Sequence, residues 1–156
     1  MTKSCILYLV KSHPDYVKDL IESLNSVYIN FIKTYRYPII LFVEKSFEQF
    51  KNTVSENIHP ELDITYCRVE FSIPSHNIHL DIPEYYPHPT HGSGPIAIGH
   101  PGFSMGYRHM CRFFSGAIYE LDILKDYEYY WRLDSDSVLT RPISFDIFQD
   151  MKMINS

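Results

Sequence analysis

The chain contains no Asn-x-Ser/Thr triplet, no cluster of lysine or arginine and no apolar run long enough to span a bilayer, and it has only three cysteines in 156 residues. Without a basic cluster, and with a formal net charge of -5, it lacks the dense phosphate neutralisation that nucleic-acid binding requires. Cys5, Cys67 and Cys111 are too few and too scattered for a disulfide framework or a thiolate zinc site, so buried free thiols are expected. The opening apolar run, Ile6–Val10, is too short for a membrane helix and is followed by no small-residue cleavage site. It reads as a first strand, which by default places a chain without a membrane span in the cytoplasm. The missing glycosylation triplet removes one mark of a lumenal surface. There are no internal repeats.

What is present is a core-forming composition: 45% hydrophobic and 15% aromatic residues, with 13 tyrosines and 10 phenylalanines. That is far from a disordered chain, and the length suits one domain over residues 1–156. Ile6–Val10 leads into a loop at Lys11–Pro14, after which Asp15 is expected to cap a helix. Val17, Leu20, Ile21, Leu24, Tyr28, Phe31 and Ile32 recur at helical spacing. Ile39–Val43 is a second continuous apolar strand. Ser46 and Gln49 have capping-box spacing before a short helix through Phe50 and Val54. A third strand is expected within Leu62–Phe71. The alternation of strand and helix predicts an α/β fold.

Regular patterning disappears over residues 72–103, which hold six of the ten prolines and five of the eight histidines. A loop of that length in a compact domain is characteristically a binding loop or lid, or else disordered. His76/His79 and His88/His91 have His-x-x-His spacing, but no thiolate joins them, and proline-bounded turns with solvent-facing imidazoles explain the same residues. Ser104 is placed to cap a following helix whose apolar face is Met110, Phe113, Phe114, Ala117, Ile118 and Leu121. The other face carries Arg108 and Arg112, which can grip a pyrophosphate, brace nearby carboxylates or simply face solvent.

The most informative stretch is Tyr127–Val138, where an aromatic run, expected to be a buried strand, stops at Asp134 and Asp136 with one serine between them. In an open α/β sheet, ligands gather outside the carboxyl ends of the strands. Two carboxylates there suit a divalent cation carrying phosphate oxygens, Mn²⁺ or Mg²⁺. The plainer alternative is a solvated turn held by side-chain to backbone bonds.

Gly106-Tyr-Arg-His-Met-Cys-Arg-Phe-Phe-Ser-Gly116 followed by Asp126-Tyr-Glu-Tyr-Tyr-Trp-Arg132 resembles glycosyltransferase family 15, the fungal-type α-1,2-mannosyltransferases. The resemblance extends upstream through Ser23–Phe42, which contains Leu24-Asn-Ser-Val and Tyr35-Arg-Tyr-Pro38. It implies a GT-A-like, Rossmann-like α/β/α sandwich with a mostly parallel sheet. It also implies transfer of mannose from GDP-mannose, or a related nucleotide sugar, to a glycan or glycoprotein acceptor, with retention of configuration and with Mn²⁺ or Mg²⁺. The family's metal-binding position, commonly Glu followed by Pro, corresponds to Asp134 followed by Ser135, closer to the Asp-x-Asp of other GT-A enzymes; Asp136 completes that motif. Tyr107 matches a tyrosine lying near the donor, and Lys11 stands where the family commonly has an arginine facing the nucleotide phosphate. With Arg108 and Arg112 these residues form the expected donor-binding set, and no nucleophile is assigned.

The family has a further half beyond its metal motif and a Golgi anchor before its first strand. The expectation is therefore a donor-binding half without the acceptor half, located in the Golgi lumen if it is a fragment of a family-like enzyme. The alternative function is a truncated, non-catalytic nucleotide-sugar or glycan binding module. A homo-oligomer is compatible with either.

Overall fold

Two continuous apolar segments make the centre of the sheet. In a computed structural model that describes residues 3–72, 85–86 and 103–154, β1 (Ser4–Val10) and β2 (Ile39–Val43) pair in parallel, with Ile6 opposite Ile39 and Val10 opposite Val43. β3 (Ile64–Arg68) adds in parallel to β2 and β6 (Tyr129–Arg132) adds in parallel to β1, giving the order β3-β2-β1-β6. Side chains alternate between faces: Ile6, Tyr8, Val10, Ile39, Leu41 and Val43 enter one core, while Cys5, Leu7, Ile40 and Phe42 are equally buried on the reverse. Burial on both faces is why these strands read as unbroken apolar runs.

The chain divides into two compact units, residues 1–70 with 125–156, and residues 71–124. The first holds the four-stranded sheet. Its α1 (Pro14–Val27) lays Val17, Leu20, Leu24 and Val27 into the core, and each such side chain is worth about 1.5–3 kcal/mol of burial. A π-helical turn (Tyr28–Ile32) and the short α2 (Lys33–Tyr35) continue it, adding Phe31 and Ile32. After β2 comes a 3₁₀ segment (Lys45–Phe50), then α3 (Lys51–Asn57). Following β6, α5 (Ile147–Ile154) is anchored by buried Phe148, and Asp146 caps its start by accepting from the Phe148 N–H at 3.1 Å. The second unit contains the two-residue antiparallel pair β4 (Tyr85–Tyr86) and β5 (Phe103–Ser104), then α4 (Met105–Ser115) and two 3₁₀ turns, Ala117–Glu120 and Asp122–Leu124. Phe71 stacks on His109 and meets Phe113 edge-on there.

Several local expectations are corrected. The cap of α1 is His13, not Asp15: the ring of Pro14 bars the preceding residue from helical angles, so His13 sits extended and its Nδ1 accepts the Asp15 N–H. Ser46 and Gln49 form no capping box. The turn begins earlier, at Glu44, as a 3₁₀ segment in which the rings of Phe47 and Phe50 meet at a tilt at i, i+3, and the Gln49 amide donates to the Ser46 carbonyl. β6 is an edge strand whose residues Tyr129, Tyr130 and Trp131 are half-buried, rather than a fully buried strand, because β1 is its one partner among the described residues. The side chain of Ser104 and most of the proline- and histidine-rich stretch, including His76, His79, His88 and His91, lie outside the described residues.

Candidate functional site

β1 and β6 run side by side in the same direction, with Leu7 opposite Arg132. The Leu133 N–H still donates to the Leu7 carbonyl at 2.9 Å, so the ladder runs one step past the strand. From there the chain turns: the Ser137 N–H donates to the Asp134 carbonyl at 2.9 Å, Ser135 is buried, and Asp134 and Asp136 are exposed. Lys11, also exposed, follows β1 directly. Lys11, Asp134 and Asp136 therefore all lie past the carboxyl ends of two adjoining parallel strands, the edge at which open α/β sheets gather ligands. The acidic segment is thus both a hydrogen-bonded turn and a strand-tip pair.

Two neighbours that the sequence pattern did not single out shape these charges. The Arg132 guanidinium donates to Asp134 Oδ1 at 2.9 Å, and the Asp134 side chain stays 63% exposed, so the pair orients the carboxylate at a worth of about 0–1 kcal/mol. The Lys11 ammonium lies 5.3 Å from the ring centroid of Tyr16, within cation–π range, and His13 meets the same ring edge-on. Arg132 was visible as the last residue of the aromatic block, but nothing in sequence distinguishes a strand-end arginine that reaches i+2. Tyr16 lies outside the apolar stripe of α1, so helical spacing of apolar residues does not mark it.

Among the described residues no three or more His, Cys, Asp or Glu side chains are grouped to hold a metal ion. The donors at the turn are carboxylate oxygens, the chemistry that Mn²⁺ and Mg²⁺ prefer. Two exposed carboxylates fit an ion that draws its remaining ligands from water and a diphosphate. The donor set is compatible with such an ion and would leave a zinc site of the closed kind unformed.

The remaining predicted residues belong to the second unit. Tyr107, Arg108 and Arg112 ride on α4; Tyr107 is exposed, Arg108 half-buried, and Arg112 Nη1 donates to the Ser72 carbonyl at 2.9 Å. The first unit thus carries Lys11, Asp134 and Asp136, and the second carries Tyr107, Arg108 and Arg112.

The chain as a whole is similar to known proteins. The chain is 32% identical over 139 residues to a probable mannosyltransferase, KTR3, of Saccharomyces cerevisiae, covering 88% of this chain and 33% of that protein. It is 30% identical over 155 residues to the alpha-1,2 mannosyltransferase KTR1 of the same yeast, covering 96% and 37%. It therefore spans about a third to two fifths of the length of the curated relatives it matches. Among solved structures, core-mannan synthase A (CmsA/Ktr4) from Aspergillus fumigatus, in a Mn/GDP form, superposes with a TM-score of 0.69 at 22% identity, over 99% of this chain and 40% of that one. The likeness carries the fold, an α/β GT-A-like arrangement around a parallel sheet. A family model described as glycolipid 2-alpha-mannosyltransferase matches residues 1–156, and the chain accordingly belongs to glycosyltransferase family 15, the α-1,2-mannosyltransferases.

Proposed function

We propose that this chain forms the donor-binding part of a metal-dependent, retaining mannosyltransferase that takes mannose from GDP-mannose and passes it to a glycan or glycoprotein acceptor. The observation that carries this reading is the placement of Lys11 and the Asp134–Asp136 turn past the same ends of paired parallel strands. The Mn/GDP form of the Aspergillus relative supports the choice of donor and metal.

Breaking the bond between a sugar and a diphosphate leaves negative charge on the departing oxygens. A divalent ion bound there supplies Lewis-acid stabilisation of that charge. Asp134 and Asp136 would hold the ion. Arg132 orients Asp134 through its hydrogen bond, and Lys11 adds a fixed positive charge at the same sheet edge. Tyr107, Arg108 and Arg112 are proposed donor contacts because they stand in the sequence block that carries the family resemblance. The family's usual Golgi setting is the proposed location.

Calorimetric titration with GDP tests the reading. Binding should require Mn²⁺ and disappear in Asp134→Asn; equal affinity with metal and with chelator would overturn it. Transfer from GDP-mannose to a panel of mannosides separates an enzyme from a module that binds donor without turning it over.

A further inference from the structure

We infer that Asn30, assisted by Ser26, is a positioning residue for the acidic turn, an assignment that rests on the metal-binding reading of Asp134 and Asp136. The turn has two pins. Its entry is fixed where the Leu133 N–H joins the β1 ladder at Leu7. Its exit is fixed at Leu139, both of whose backbone polar groups are taken by the end of α1 and the π-helical turn after it. The Leu139 N–H donates to Ser26 Oγ at 3.0 Å, and the Leu139 carbonyl accepts from Asn30 Nδ2 at 2.7 Å. Further on, the Ile143 N–H donates to the Asn30 backbone carbonyl at 2.9 Å.

The two side chains are themselves held. Asn30 Nδ2 also donates to the Ser26 carbonyl at 3.0 Å, and Ser26 Oγ donates to the Ser23 carbonyl at 2.8 Å. Both are partly buried, so these bonds are shielded from full competition by water. Residues 134–138, five residues that include both aspartates, span the interval between the pins, closed on themselves by the bond from the Ser137 N–H to the Asp134 carbonyl. The irregularity in the helix falls at this place: Asn30 is the middle residue of the π-helical turn Tyr28–Ile32. Such turns are costlier than continuous α-helix and concentrate at functional sites. Simple burial of this segment would need apolar contact alone. Directional bonds to both the N–H and the C=O of one residue instead fix the path of the backbone, and with it the direction in which the two carboxylates leave the sheet.

The test measures Mn²⁺ binding by electron paramagnetic resonance in the presence of GDP, together with amide hydrogen exchange in the absence of metal, on the full chain. Asn30→Ala should weaken Mn²⁺ about fivefold to tenfold, the effect of one lost hydrogen bond, and speed exchange at Ser137 and Leu139 while core amides stay protected. Ser26→Ala should act in the same direction and Ser26→Thr, which keeps the hydroxyl, should restore binding; this pair decides the question if Asn30→Ala does not fold. Unchanged Mn²⁺ affinity in Asn30→Ala or in Ser26→Ala overturns the positioning role while leaving the metal site intact. Mn²⁺ binding that is insensitive to Asp134→Asn defeats the metal-site reading, and the positioning role with it.

Discussion

Phe31 meets Trp131 edge-on, their ring centroids 5.6 Å apart and their planes at 88°. One ring belongs to the π-helical turn after α1 and the other to the strand that ends at the acidic pair, so a single aromatic contact ties the helix to the strand bearing the candidate metal ligands. Phe31 also packs on Tyr35, Tyr37 and Phe148, with centroids 5.0, 6.0 and 6.4 Å away. Phe31→Ala should therefore cost about 3–5 kcal/mol of stability, as expected for truncating a buried aromatic. Urea unfolding followed by tryptophan fluorescence checks this, because Trp131 is the chain's one tryptophan and reports on the contact directly.

A second stability prediction concerns a buried polar pair. The Tyr8 hydroxyl and Ser23 Oγ lie 2.9 Å apart, both fully shielded from solvent. Tyr8→Phe strands the serine hydroxyl and should cost about 1–3 kcal/mol. Tyr8→Phe combined with Ser23→Ala removes both partners, and should be less destabilising than the sum of the single changes in a double-mutant cycle of denaturation midpoints.

Alkaline pH should destabilise the fold through buried acids. Burial pushes the Cys5 thiol up from 9.0 to about 12. It likewise pushes the Tyr8 hydroxyl from 10.0 to about 12, against the opposing effect of the Ser23 hydrogen bond. A raised folded-state value means that the stabilisation is complete below the unfolded value and is lost as pH climbs toward the folded one. Melting temperature should therefore fall from about pH 9 upward, more shallowly in Cys5→Ala and Tyr8→Phe. Under native conditions a thiol reagent should modify exposed Cys111 first and leave Cys5 unmodified.

The acid side has its own signature. The hydrogen bond from the Tyr28 hydroxyl to Glu61 Oε2, 2.8 Å, holds the Glu61 carboxyl below its usual range, with Arg36 adding to the effect. A depressed value contributes stability above the unfolded pKa that is lost as pH falls through the folded one. Glu61→Gln should flatten the decline in melting temperature below about pH 4.5.

At the candidate site, Lys11→Ala should weaken GDP binding and reduce its dependence on salt, since it removes one exposed positive charge just past the carboxyl end of β1 and leaves the strand itself untouched. Asp134→Asn should leave the melting temperature close to that of the parent, because the ion pair lost with Arg132 is exposed, so loss of metal-dependent binding in that variant reports on chemistry.

How much of this was legible depended on how local each cause is. β2 matched its expected bounds, Ile39–Val43, because both of its faces are buried and every residue is apolar. β1 starts earlier than its apolar run, at Ser4, since register against β6 extends the ladder to a serine that hydropathy would not select. The π-helical turn left no trace in the apolar stripe: Tyr28, Phe31 and Ile32 keep spacings that an α-helix also satisfies. The edge position of β6 among the described residues was hidden for a different reason, because the order of strands is decided by pairing across more than a hundred residues. The aspartates at the strand tip were read from the sequence, while the bonds from Asn30 and Ser26 that pin their turn join residues over a hundred positions apart.

That separation has a bearing on biosynthesis. Ser4 pairs with Tyr129 and Leu7 with Arg132, so β1 waits for a strand made more than a hundred residues later before the two can join. Contacts this distant in sequence form slowly and leave one flank of β1 unpaired while the ribosome works through the intervening chain. The carboxylate turn can take shape only once β6 has been made, and a ribosome-stalled chain ending before residue 129 should show a formed β1–β2 pair and no ion-binding ability.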